Sequence, residues 1–188
     1  MPDRGKFWPA VPDWSAASIR KPGLEIAVAP AATISLVSGD LAKFLAQHHG
    51  DTASIGPRGM IAGDRYALRL APDRLLSVGP GAQVASGWSD GVATTDVSDG
   101  YLLFDVTGPT ASDVMAMGAE YDFASRPALA TESAAMLFAG LKVSIARIAG
   151  GWRLHVERPY AAALWHWLEH ATKDQARAAA PAGVSSPR

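Results

Sequence analysis

The chain has 188 residues, 48% of them hydrophobic and 19% charged, with a formal net charge of −1 and no cysteine. That content suits one packed domain rather than a disordered chain, and the near-zero charge leaves no footprint for nucleic acid or an anionic membrane. Without cysteine there is no disulfide scaffold, no thiolate metal site and no cysteine nucleophile. No apolar run reaches the roughly 18 residues needed to span a bilayer. The opening Met1-Pro-Asp-Arg-Gly-Lys-Phe-Trp-Pro9 carries no apolar signal core, so the expected location is the cytoplasm.

Residues 1–23 contain Pro2, Pro9, Pro12 and Pro22 with Phe7, Trp8 and Trp14 among polar residues. Prolines at that density break periodic structure, so the segment reads as an extended arm whose rings must be buried against this domain or a partner. Leu24–Ala29 and Thr33–Val37 are short apolar runs read as strands. A helix starts at Ser38-Gly39-Asp40, with Leu41, Phe44, Leu45 and His48 at helical spacing and Gly50 as its stop. Arg65–Leu70 alternates, Pro72-Asp73 turns, and Leu75–Val78 returns as a strand. The glycine-rich stretch from Gly79 to Gly91 reads as a loop or short helix. Val92–Val97 and Tyr101–Val106 are two more strands. A helix over Pro109–Met117 follows, with Pro109 suited to its first position and Gly118 to its C-cap. Ala135–Phe138 and Leu141–Ile148 form a hairpin at Gly140, and Trp152–Val156 is a third strand after Gly150-Gly151. The last helix, Pro159–Ala171, places Ala161, Leu164, Trp165 and Leu168 on one face, while Tyr160, Ala163 and Trp167 widen its apolar surface. Residues 172–188 read as a fraying helix end and a flexible tail. Few helices after strand pairs predict an α+β domain over 24–171, with a mostly antiparallel sheet and helices on one face.

Several spacings invite catalysis, and each has a plainer reading. His166-Trp-Leu-Glu-His170 matches H-x-x-E-H, but the chain beyond Glu169 offers only Asp174 as a third ligand, on the same helix; two histidines near a helix C-terminus are the plainer reading. Gly87-Trp-Ser-Asp-Gly91 matches G-x-S-x-G, yet a loop precedes Ser89 and a strand follows it, which is the wrong context for a nucleophile elbow. Gly79-Pro-Gly81 lacks the third glycine of a dinucleotide fingerprint, since Val84 stands in its place. His48 and His49 are adjacent on a helix and point apart. Asp96, Asp99 and Asp105 are explained by turns, caps or solvent.

Two segments, taken together, resemble the gamma subunit of the heterotetrameric sarcosine oxidases. The first is Asp96-Val97-Ser98, the strand Leu102–Val106 and Gly108-Pro109-Thr110-Ala111, followed by Gly118 and Asp122-Phe123. The second is Arg158-Pro159-Tyr160-Ala161-Ala162-Ala163-Leu164-Trp165-His166-Trp167-Leu168. The strand Leu75–Val78 after Ala71-Pro72-Asp73 is similar to the family's middle segment. The likeness covers about 24–171 and is weakest before 65. It implies an aminomethyltransferase (T-protein)-like fold and a subunit without catalytic residues, in a complex that demethylates sarcosine oxidatively to glycine and passes the one-carbon unit to tetrahydrofolate. By the same resemblance FAD lies in beta, FMN at the alpha–beta junction, NAD in alpha and zinc in delta. Alpha is the expected direct contact, and Phe7, Trp8, Trp14, Tyr160 and Trp167 are the expected interface residues. The alternatives are a subunit of a related N-methyl amine oxidase or dehydrogenase, a stand-alone folate-binding aminomethyltransferase-like protein, and a small hydrolase or metalloprotein.

Overall fold

The computed structural model describes residues 11–50, 60–61, 65–79, 85–121, 123 and 133–178, the side chains of 60, 61 and 174–178 excepted. In chain order the strands are β1 (Ser18–Lys21), β2 (Leu24–Val28), β3 (Thr33–Gly39), β4 (Met60–Ile61), β5 (Tyr66–Ala71), β6 (Arg74–Gly79), β7 (Gly87–Ser89), β8 (Val92–Asp96), β9 (Tyr101–Thr107), β10 (Ser133–Phe138), β11 (Leu141–Ile148) and β12 (Gly151–Glu157). The helices are α1 (Leu41–His48), α2 (Ala111–Gly118) and α3 (Ala161–Ala178). The strands form two six-stranded antiparallel sheets, β1-β2-β9-β12-β11-β10 and β4-β5-β6-β3-β8-β7. The chain leaves the first sheet after β2, builds the second from β3 to β8, and returns to the first at β9, where Glu25 faces Thr107.

Alternation along the strands sorts the side chains into layers. From β9 and β12, Leu102, Phe104, Val106, Trp152, Leu154 and Val156 pack with Leu164, Trp165 and Leu168 of α3 and Val114 of α2. The opposite face of that sheet sends Leu103 and Ala146 against Ile34, Tyr66, Leu68, Leu76 and Val78 of the second sheet. Beyond that sheet, Val37, Ala67 and Leu75 receive Phe44 and Leu45 of α1. The order is therefore helices, sheet, sheet, helix. The α+β class and antiparallel pairing are as expected, but the one expected sheet is two, and the helices lie on both outer faces. The reason is that β5, β6 and β9 are buried on both sides, so each sheet needs cover twice.

Both ends of the expected domain adjoin regular structure. The segment read as an arm contains β1, which pairs with β2 through Pro22-Gly23, Ser18 facing Ala27 and Lys21 facing Leu24. A Pro-Gly pair between two short alternating runs is a hairpin signal, and it was masked by the prolines upstream. The segment read as a fraying helix end and a tail begins inside α3, which continues to Ala178. Thr172 is buried there, and its hydroxyl donates to Leu168 O at 2.9 Å. The stretch 172–178 holds good helix formers with no glycine or proline. A short strand, β7, also stands where a loop or helix was expected.

Helix boundaries rest on two glycines with different causes. Gly108 has φ 111°, and a Cβ there would meet Gly23 O at 2.4 Å, so the Gly-Pro junction before α2 is wedged against the β1–β2 turn. Gly118 closes α2 without a left-handed cap; a Cβ there would lie 2.3 Å from two ring carbons of Phe138. Close approach to an aromatic ring, and not C-capping, requires glycine at 118.

Candidate functional site

A polar constellation among the described residues joins the two sheets. Tyr66 on β5 donates its hydroxyl hydrogen to His155 Nε2 on β12 at 2.7 Å, while His155 Nδ1 donates to Ser144 O at 2.9 Å. Arg153 forks onto Asp105 at 2.6 and 2.8 Å and approaches the Tyr66 hydroxyl at 3.5 Å. Asp105 and Arg153 stand opposite each other in the β9–β12 ladder. Burial, above all, pushes the His155 pKa down to about 4, so the ring is neutral. Burial likewise raises the Tyr66 pKa, and the Asp105 hydrogen bond raises that of Arg153. The donors and acceptors are mutually satisfied. None of the four residues lines a cavity described below, and their hydrogen bonds tie the two sheets together.

The catalytic spacings come apart in three dimensions. On α3, Glu169 accepts from Trp165 Nε1 at 3.1 Å and faces His166 Nδ1 at 3.2 Å, while His170 Nδ1 donates to His166 O at 2.7 Å. Both histidines and the carboxylate are thus tied to their own helix. Among the described residues no three His, Asp or Glu side chains gather. Ser89 ends β7, and Asp90 (φ 52°) and Gly91 (φ 82°) form the tight turn to β8, so G-x-S-x-G is a hairpin. Pro80 and Gly81 lie outside the described residues. His48 stacks on Phe44 with ring centroids 4.5 Å apart, whereas His49 reaches Ser77 Oγ at 3.1 Å. Burial first, then Arg65, lowers His49 to about 4. Ser77 is itself buried and lines none of the cavities.

Asp96 accepts from both the backbone and the hydroxyl of Ser98, which hold its carboxyl below the usual range. The Asp99 carbonyl accepts from Arg158 Nε at 2.6 Å, tying the start of the last helix to the turn before β9. Asp105 is neither a turn residue nor a solvated carboxylate: its partner is Arg153. Its position between Phe104 and Val106 was the available signal, as was that of Arg153 and His155 among Trp152, Leu154 and Val156. Their alternate face meets a second sheet instead of water.

Of the expected interface residues, Phe7 and Trp8 lie outside the described residues. Trp14 packs into this domain's own core, 5.7 Å from the Phe104 ring and 6.1 Å from that of Trp165. Trp167 is half-buried edge-on to Phe138 at 5.2 Å. Tyr160, on the turn into α3, is 48% exposed. Among the described residues, the surface cavities include the following. One of about 240 Å³ lies by the start of α1, between Asp40, Leu45 and Arg69. One of about 370 Å³ separates α1 from the β7–β8 hairpin, between Lys43, His48 and Trp88. One of about 440 Å³ lies at the start of α2, between Gly108, Ser112 and Arg147. In none of them do the described residues place a nucleophile in hydrogen bond with a base.

No family model matches this chain, and no curated protein does either. Solved structures do. A chain of the heterotetrameric sarcosine oxidase from Corynebacterium sp. U-96, in complex with pyrrole 2-carboxylate, superposes with a TM-score of 0.69 at 18% identity, over 80% of this chain and 84% of that one. The glycine cleavage system aminomethyltransferase T from Bartonella henselae superposes with a TM-score of 0.51 at 17% identity, over 78% of this chain but 45% of that one. The fold is the one these two proteins share.

Proposed function

We propose that this chain is the gamma-type subunit of a heterotetrameric sarcosine oxidase, a non-catalytic part that supports assembly of the enzyme. The observation that carries the reading is the extent of the likeness: it spans most of this chain and most of the sarcosine oxidase chain, whereas it spans less than half of the aminomethyltransferase. The segments quoted above support the same reading from sequence. In this proposal the alpha, beta and delta subunits hold FAD, FMN, NAD and zinc, and they carry out the demethylation of sarcosine to glycine with transfer of the one-carbon unit to tetrahydrofolate. The alpha subunit is the direct neighbour. Phe7 and Trp8 of the N-terminal segment, together with Tyr160 and Trp167, face that neighbour. The assembly is cytoplasmic; no described helix is long and apolar enough to cross a membrane. Related complexes acting on other N-methyl amines fit the same chain, because substrate choice belongs to beta.

The test is co-expression of the tagged full-length chain with the products of its flanking genes, followed by affinity purification and an absorbance spectrum. The expected result is a yellow complex that oxidises sarcosine. Recovery of this chain without a flavoprotein, together with stoichiometric binding of tetrahydrofolate by the chain alone, would replace the subunit reading with the aminomethyltransferase-like one.

A further inference from the structure

The cavity of about 440 Å³ has a single charge in its lining, the guanidinium of Arg147, and no carboxylate. Arg147 on β11 stands across the ladder from Trp152 on β12, and its guanidinium carbon lies 4.3 Å from the centre of the indole. That contact is within cation–π range. It leaves the guanidinium without a protein oxygen: none of its five N–H donors is engaged among the described residues. Arg153 and Arg158 differ, since Asp105 holds the first and the carbonyls of Asp99 and Tyr101 hold the second. The hydroxyl of Ser112, on the same cavity, is likewise without a partner. A further donor is unused in the ring that Arg147 covers: Trp152 is 4% exposed, and its buried Nε1 has no acceptor. Gly108, Gly150 and Gly151 make much of the remaining wall, and a Cβ on Gly150 would meet nothing within 4 Å. A cation and a hydroxyl thus border one hollow, with no anion of the chain to meet them.

We propose that this cavity binds a small organic oxyanion, a molecule carrying a carboxylate or a phosphate group. Arg147 supplies the charge and a planar fork that matches two oxygens of either group. Ser112 supplies a neutral donor beside it. The glycine wall leaves room for the rest of the molecule, and the volume is near the low end of small-molecule sites. Stacking on the indole holds the guanidinium in place before the ligand arrives, so less freedom is lost on binding. Because the site opens on the surface, water and salt screen it, and a bare oxyanion should bind with a Kd on the order of millimolar. The inference concerns this chain's own residues and does not depend on the subunit reading.

The test is a titration of the nitrogen-15-labelled full-length chain with inorganic phosphate and, separately, with acetate, at constant ionic strength held with chloride. Amide shifts of Ser112, Gly150 and Gly151 are the readout. The expected result is a saturable shift of these amides with at least one of the two anions; saturation by phosphate assigns a phosphate group to the ligand, and saturation by acetate a carboxylate. Arg147→Gln should weaken that binding about tenfold or more. Ser112→Asp, which sets a carboxylate of the chain beside the arginine, should block it, and an acidic residue is tolerated in a first helical turn. Arg74→Gln, at an exposed position on the second sheet, should leave it unchanged. Circular dichroism checks that the variants keep the fold. Shifts that never saturate, or that chloride alone reproduces, overturn the proposal, even if an acidic segment of another protein binds there. So does saturable binding that survives both Arg147→Gln and Ser112→Asp.

Discussion

Acidification from about pH 7 to about pH 4 should destabilise this fold, with His155 as a principal cause. Its side chain is 1% exposed, and both ring nitrogens serve the neutral form, Nδ1 as donor to Ser144 O and Nε2 as acceptor from Tyr66. A proton on Nε2 would displace the tyrosine hydrogen and stand close to Arg153. The folded chain protonates His155 only near 4, against 6.5 for the ordinary ring. Between those values the unfolded chain binds more protons, so stability falls as pH falls through that window and is fully present above it. At about 1.4 kcal/mol per pH unit the whole window amounts to about 3 kcal/mol. His49 shifts in the same direction and adds a smaller part, since it is only half-buried. The assay is urea unfolding followed by tryptophan fluorescence at several pH values, for the wild type and His155→Gln. Glutamine keeps one donor and one acceptor but cannot take a proton. The variant should be less stable near neutrality and lose much less between pH 7 and pH 4. Equal losses in both proteins would refute the neutral, latched histidine.

Gly118→Ala should lower stability by roughly 1–3 kcal/mol, because the new methyl group collides with the fully buried Phe138 ring; thermal unfolding should show a drop of roughly 2–4 °C per kcal/mol. Trp14→Ala should destabilise the chain itself by roughly 2 kcal/mol, less than for a fully buried ring, and a loss of partner binding with unchanged unfolding would return Trp14 to the interface. His166→Ala, His170→Ala and Ser89→Ala should leave turnover of an assembled complex nearly unchanged; a loss beyond roughly a hundredfold, about 2.7 kcal/mol, with normal assembly would give one of those motifs a chemical role.

What could be read in advance was local. The final helix showed its buried stripe, Ala161, Leu164, Trp165 and Leu168, because a 3.6-residue period is written in consecutive positions. The β10–β11 hairpin and the Gly-Pro entry to α2 were legible for the same reason. The partition into two sheets was not, because alternation tells which residues share a face and not what the face meets. The Asp105–Arg153 pair, 48 positions apart, therefore became visible only with the register of β9 on β12. Gly118 was picked out for the wrong reason: its neighbour in space, Phe138, is twenty positions away. Trp14 found its partners within the chain, and Tyr160 stays open to solvent.

The route of the chain between the sheets bears on how it folds. Glu25 and Thr107 belong to one ladder, 82 positions apart, and closing so long a segment as free chain costs roughly 4 kcal/mol beyond the constant term. The second sheet removes most of that burden. Its first and last strands in chain order, β3 and β8, are neighbours, and Val97 N bonds to Ile34 O at 2.8 Å. Once β3–β8 have assembled, the polypeptide emerges beside the point where it entered, and β2 and β9 are already side by side. The middle of the chain is thus placed to act as an early cooperative unit on which the two ends condense, and the β1–β2 hairpin, although made first on the ribosome, must wait for residue 107 before it has a sheet to join.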